Sequence, residues 1–228
     1  VTGMPDNVRE MNYAFFNIPT LTSVSKIPSK CTIFNIAFRG CRNLTSVPIN
    51  GWTGNLYMTF MECPSLNQQI NIVNPTTLNS TFYGCSSLEI SPTFTGTYTG
   101  YIDNLFGNCS KLTNITLPTT WTPSSADSAF IRCRSLVTIE NLDALDMSNC
   151  SNINAMFKSC YKLSNLNDAE NWTFNRQTSL NEVFRECNSL VSFDTSNWNV
   201  STGSLMTTFY GCSKLETLNV RGIDVSPN

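Results

Sequence analysis

One phrase of apolar positions returns along the whole chain. A phenylalanine is followed three residues later by a cysteine and three further by a leucine. The copies are Phe38-Cys41-Leu44, Phe60-Cys63-Leu66, Phe82-Cys85-Leu88, Phe106-Cys109-Leu112, Phe130-Cys133-Leu136, Phe157-Cys160-Leu163, Phe184-Cys187-Leu190 and Phe209-Cys212-Leu215. An earlier copy, Phe15-Ile18-Leu21, has isoleucine in the cysteine place. The steps between phenylalanines are 23, 22, 22, 24, 24, 27, 27 and 25 residues, a period that belongs to leucine-rich-repeat solenoids.

The spacing predicts a short helix and a strand in each copy. Another apolar residue, such as Leu56, Leu78, Ile102 or Leu180, stands four places before the phenylalanine. Positions −4, 0 and +3 share one helical face. Acids early in these segments (Asp103, Asp127, Glu182) suit a helix N-terminus. Beyond the leucine, Val24, Val47, Ile70, Ile90, Ile115, Ile139, Leu166, Phe193 and Leu218 read as the inward residues of short strands, and Pro118 ends the clearest of them. The expected fold is an α/β solenoid: a right-handed, leucine-rich-repeat-like coil of about nine repeats of 22–27 residues, each a helical turn plus a strand of a parallel sheet. The expected organisation is one domain over 1–228, with repeats from about 11 to 220.

Period-two alternation turns the residues flanking each inward position outward. Gln69, Asn71, Glu89, Asn114, Thr116, Thr138, Glu140, Asn165, Asn167, Asp194 and Asn219 are therefore the candidate binding positions. Extended strand faces are what solenoids use to bind. This one is polar, small-sided and mildly acidic, and it lacks the Trp, Tyr and Arg that usually dominate interfaces. The array ends are a second candidate, expected to contact another domain or subunit, because an uncapped end exposes apolar surface and open strand edges.

Composition narrows the possible functions. Charged residues make up 13% of the chain and the net charge is −2, so no global field favours nucleic acid. No apolar run is long enough to span a bilayer, and no signal peptide is visible at the first residues. Of the 14 basic residues, Arg39, Arg42, Lys111, Arg132, Arg134, Lys158, Lys162, Arg185 and Lys214 fall one to five places after a repeat phenylalanine, where helix C-termini favour cations. Asn-x-Ser/Thr sequons abound, as the Asn, Ser and Thr content dictates.

Eight of the ten cysteines fill the +3 column; Cys31 and Cys150 lie outside it. A disulfide ladder is not expected: column neighbours would stand on helices about 8–10 Å apart, whereas a bridge needs Cα atoms within about 7 Å. Buried thiols acting as small hydrophobes fit better. Without histidine or a close Cys pair, a structural zinc site is not expected. All four tryptophans, Trp52, Trp121, Trp172 and Trp198, stand fourteen or fifteen residues after a phenylalanine. They serve either as a buried plug or as an exposed aromatic row for carbohydrate.

Zero histidine excludes Ser–His and Cys–His nucleophiles. Two carboxylate pairs, Asp143 with Asp146 and Asp168 with Glu170, read as turn acids. No phosphate-binding glycine loop is present. No catalytic residue, metal ligand or cofactor is expected.

Three segments, AFRGCRNLTSV, LFGNCSKLTNITLP and AFIRCRSLVTI, resemble the BspA-like leucine-rich repeats of bacterial surface proteins. A fourth, FDTSNWNVSTGSLMTTFYGCSKLETLNV, is similar to the related lipoprotein repeat of mycoplasmas and gut bacteria. The resemblance implies a non-enzymatic surface or secreted module that binds protein or glycan partners. The alternative is a structural subunit of an assembly such as a phage virion or appendage.

Overall fold

The computed structural model describes residues 3–49, 51–174, 177–201 and 205–224. The chain winds as a leucine-rich-repeat-like solenoid whose coils stack through parallel backbone pairing. Its strands are short: β1 (Trp52–Asn55), β2 (Asn71–Thr77), β3 (Thr93–Thr95), β4 (Asn114–Thr116), β5 (Thr138–Glu140), β6 (Ser192–Asp194), β7 (Val200–Ser201), β8 (Thr217–Asn219) and β9 (Ile223–Asp224). They form four separate sheets, β1-β2-β3, β4-β5, β6-β8 and β7-β9, with every pair parallel.

The expected helices are absent, which corrects the α/β reading. Among the described residues the only helices are two 3₁₀ turns, Leu142–Ala144 and Asn167–Asn171. Around each repeat phenylalanine the chain instead makes consecutive tight turns. In the coil of Phe106, the N–H groups of Leu105, Gly107 and Cys109 bond back three residues to Ile102, Asn104 and Phe106. The alternate N–H groups of Asn104, Phe106 and Asn108 reach across to the carbonyls of Asp127, Ala129 and Ile131 in the next coil, each at 2.8 Å. A helix would spend those alternate donors within its own turn. Here they join coil to coil.

This path needs a left-handed residue two places before each phenylalanine and another two places after it. The first column is Tyr13, Ile36, Met58, Ser80, Asn104, Ser128, Ala155, Glu182 and Thr207; the second is Asn17, Gly40, Glu62, Gly84, Asn108, Arg132, Ser159, Glu186 and Gly211. All have φ between 51° and 79°. Left-handed residues cannot continue a right-handed helix. They keep positions −4, 0 and +3 pointing inward, so the two geometries share one hydrophobic pattern.

The core runs without a break from Met11 to Val200. Phe15, Phe38, Phe60, Phe82, Phe106, Phe130, Phe157, Phe184 and Phe209 stack ring on ring, with centroids 5.1–6.0 Å apart and planes within 21°. Position −1 adds a buried column absent from the repeat pattern: Ala37, Thr59, Thr81, Leu105, Ala129, Met156, Val183 and Thr208. Its threonine hydroxyls are satisfied by carbonyls of the preceding coil, Thr59 to Phe34 and Thr81 to Leu56, both at 2.9 Å. The four tryptophans are the plug, none more than 2% exposed, and no aromatic row is offered to a sugar from that column. Three of them donate Nε1–H to a carbonyl: Trp52 to Pro48, Trp172 to Leu142 and Trp198 to Ala169.

All ten cysteines are free. Each column thiol donates to the carbonyl of the phenylalanine one coil earlier. Cys41 bonds Phe15, Cys63 bonds Phe38, Cys85 bonds Phe60, Cys109 bonds Phe82, Cys133 bonds Phe106, Cys160 bonds Phe130, Cys187 bonds Phe157 and Cys212 bonds Phe184, at 2.9–3.1 Å. The column is thus a hydrogen-bond ladder as well as a packing one.

Candidate functional site on the strand side

The strand side is less regular than the repeat pattern implies. Ser23 and Ser46 pair in parallel, and β4-β5 and β6-β8 continue the same ladder further along. Between them, the coils of Phe60 and Phe82 depart from it. Ile70 is buried, but it precedes β2, and Asn71 is the first residue of that strand. Ile90 is 48% exposed instead of inward, and Phe94 on β3 fills the core in its place. Residues 89–91 carry no strand. In the coil of Phe157 the expected strand around Leu166 is replaced by the 3₁₀ turn that begins at Asn167. Leu218 is 40% exposed on β8, a strand paired on one side by β6.

Where the ladder is regular, the candidate residues face outward. On β4 and β5, Asn114 stands opposite Thr138 and Thr116 opposite Glu140, all four exposed. Thr116 donates its hydroxyl to the Glu140 carboxylate at 2.8 Å. On β6 and β8, Asn219 donates its side-chain amide to Asp194 at 3.2 Å. The Asp194 carboxyl is held below its ordinary range, chiefly by bonds from the Ser196 backbone and hydroxyl. Asn165 is exposed.

The departure opens a cleft of about 480 Å³, lined by Gln69, Glu89, Ile90, Ser91, Pro92, Thr93, Phe94, Asn114, Thr116, Leu117 and Pro118. Four candidate positions, Gln69, Glu89, Asn114 and Thr116, meet at its rim. Asn71, Thr138, Glu140, Asn165, Asp194 and Asn219 are not among its lining residues, and the side chain of Asn167 lies outside the described residues. The apolar lining of Ile90, Pro92, Phe94 and Pro118 escaped the sequence reading, which had placed Ile90 in the core. The proline at 92, which has no N–H to give a ladder, is the signal that could have revealed the break.

The carboxylate pairs have local roles. Asp146 accepts the Ser148 N–H and is held low by Ser148. Glu170 accepts the Asp194 N–H at 2.9 Å, and burial raises its carboxyl. Among the described residues no group of three His, Cys, Asp or Glu could hold a metal ion.

The basic residues after the phenylalanines need another cause than a helix C-terminus, since no helix is there. Lys158 pairs with Glu182 of the next coil at 2.6 Å and Arg39 with Glu62 at 3.5 Å; Arg185 meets Glu182 of its own coil. Arg39, Arg134 and Arg185 also lie over Phe16, Tyr161 and Tyr210. This turn side therefore carries the Arg and aromatic side chains that the strand side lacks.

Parallel short strands, a column of leucines and a phenylalanine spine through stacked coils define a leucine-rich-repeat solenoid. Over its first part the chain is similar to BspA-type repeats: residues 3–89 match the family described as "BspA type Leucine rich repeat region (6 copies)". Residues 124–226 match the family described as "Mycoplasma protein of unknown function, DUF285". Among solved structures, the leucine-rich repeat protein TpLRR of T. pallidum is 25% identical over 70% of this chain and 73% of its own, with a TM-score of 0.52. A leucine-rich repeat protein of Bacteroides ovatus is 22% identical, over 93% of this chain and 64% of its own, with a TM-score of 0.48. A leucine rich cell surface protein of Faecalibacterium prausnitzii is 16% identical, over 97% of this chain and 87% of its own, with a TM-score of 0.45. No curated protein matches the sequence. No enzyme family is among the matches. Among the described residues no helix is long and apolar enough to cross a membrane.

Proposed function

We propose that the chain is a non-enzymatic recognition module, surface-exposed or secreted, that binds a protein or glycan partner through its strand side. In this reading residues 1–228 form one right-handed array of nine coils, and the eleven strand-side candidates from Gln69 to Asn219 are its contact positions. One observation carries the proposal: Gln69, Glu89, Asn114 and Thr116 converge on a cleft that they line together with the apolar Ile90, Pro92, Phe94 and Pro118, the mixed composition that recognition sites favour. Leucine-rich-repeat proteins typically mediate protein binding or surface recognition, and BspA-type members are typically surface-exposed. An adhesive role extends that general behaviour to this chain. The virion-subunit alternative has no observation in its favour.

The test is binding of the full chain to panels of matrix proteins and glycans. A strand-side variant, Glu89→Lys with Asn114→Lys, is expected to lose the partner, while Arg134→Glu on the turn side keeps it. The opposite pattern would move the site to the turn side, with its Arg and aromatic pairs.

A further inference from the structure

We propose that the cleft binds an extended polypeptide segment by strand addition, the segment pairing with the open edge of β4. This rests on the strand-side reading above and names its partner class.

The edge is identified by parity. The Val137 N–H bonds the Thr113 carbonyl at 2.8 Å, and the Leu117 N–H bonds the Glu140 carbonyl at 3.1 Å. In a parallel ladder alternate residues serve opposite neighbours, so Thr113, Ile115 and Leu117 serve β5. The backbone N–H and C=O groups of Asn114 and Thr116 then face the preceding coil. Among the described residues no strand pairs with them there: β4 belongs to a two-stranded sheet with β5. Among the described residues no hydrogen bond is made to the main-chain groups of Asn114 or Thr116 on that edge.

Other breaks in the ladder are filled by the chain itself. Between the coils of Phe38 and Phe60, the Gln68 amide takes the Val47 N–H and returns a bond to its carbonyl, copying a strand. Before β6, the Glu170 carboxylate accepts the Asp194 N–H. Opposite β4 the side chains that could do the same are engaged elsewhere. Ser91 donates its hydroxyl to the Pro92 carbonyl at 3.0 Å, and Glu89 pairs with Lys111 at 3.6 Å. Pro92 has no N–H to offer.

An occupant must therefore supply alternating donors and acceptors at strand spacing, which is what a polypeptide backbone does. Three residues match the length of β4. One apolar side chain of the segment would rest on Ile90, Phe94 and Pro118, while Gln69 and Asn114 flank it at the rim. A glycan could meet the rim but not the spaced main-chain pairs.

Amide exchange of the full chain, read residue by residue by NMR, tests the proposal. Without ligand, the Asn114 and Thr116 amides should exchange at least about tenfold faster than those of Ile115 and Leu117. A pooled library of acetylated, amidated pentapeptides at millimolar concentration should slow both. Thr116→Pro removes the edge N–H without touching the main-chain bonds to β5, and should abolish binding; Thr116→Val loses the same hydroxyl bond to Glu140 but keeps that N–H, and should retain binding. N-methylation of alternate peptide amides should also abolish binding. The proposal is overturned if the two amides are already protected, if no peptide slows them, or if Thr116→Pro or the methylated peptides bind unchanged. Ligands that instead shift Asp194 and Asn219 would keep the strand-side reading and overturn this one.

Discussion

The thiol of Cys109 donates to the carbonyl of Phe82, one coil earlier, at 3.1 Å. The same carbonyl accepts the Cys85 N–H at 3.0 Å. Both lone pairs of a buried carbonyl are thus used, one within the coil and one between coils. The column selects cysteine because it is small and apolar enough for a core yet still carries a donor. Replacing Cys109 by Ala removes both volume and donor, and should cost about 1–2 kcal/mol. Urea unfolding would show it as a lower midpoint at unchanged slope. A change under a few tenths of a kilocalorie would mean that the ladder adds nothing.

The same burial sets a pH limit. Desolvation pushes the Cys85 and Cys133 thiols up from 9.0 to about 12, and Cys150 to about 11. Cys109, Cys160 and Cys187 are also pushed well up. In the unfolded chain these thiols ionise near 9. Their contribution is therefore complete below pH 9 and is lost as pH rises toward the folded values, at about 1.4 kcal/mol per pH unit for each thiol. Alkaline titration followed by circular dichroism should show cooperative unfolding between pH 9 and 12. Native alkylation at pH 8 should label the half-buried Cys212 ahead of the interior column.

The phenylalanine spine should weaken toward its end. Phe106 is buried between the rings of Phe82 and Phe130 at 5.6 and 6.0 Å. Phe209 stacks on Phe184 and is only partly buried. Phe106→Ala should cost about 3–5 kcal/mol, and Phe209→Ala clearly less. Equal costs would show that the last coil is as well packed as the interior.

The repeat was legible because hydrophobic identity at −4, 0 and +3 survives whichever backbone path carries it. The backbone path itself was not. The left-handed residues fall on Gly40, Gly84 and Asn108, which advertise such a turn, but also on Ile36, Met58 and Arg132, which do not. Those mixed identities hide the column, while 4-then-3 spacing imitates a helix. The strand side was legible at Asn114–Thr116, where alternation is clean. It was misread at Ile90, where Pro92 interrupts the ladder and delays the inward residue to Phe94. The cleft arises from that interruption, so a search confined to the regular pattern could find its polar lining but not its apolar lining.

Tryptophans of one column should differ in their need for the indole N–H. Trp172 donates to the Leu142 carbonyl at 2.9 Å, whereas the buried Trp121 Nε1 has no partner. Trp172→Phe leaves that carbonyl only the long bond from the Leu145 N–H at 3.4 Å, and should cost about 0.5–1.5 kcal/mol more than Trp121→Phe. The difference between the two thermal midpoints reads it out, with similar loss of ring volume cancelling.

Gly84 gives the sharpest test of the turn geometry, because two backbones predict opposite signs. It sits at φ +76°, and a Cβ there would come no closer than 3.5 Å to the Glu62 backbone. Alanine therefore meets room but strain. In a helix, Gly→Ala would stabilise by roughly 0.5–1 kcal/mol. In the left-handed turn it should destabilise by about 1–2 kcal/mol. The reverse change at an exposed left-handed position, Arg132→Gly at φ 58°, should be neutral to stabilising by up to about 1 kcal/mol, where a helix would lose that amount. Thermal or urea unfolding of the two single variants decides the matter. A stabilised Gly84→Ala together with a destabilised Arg132→Gly would restore the helix and remove the alternate inter-coil hydrogen bonds from the account of stability.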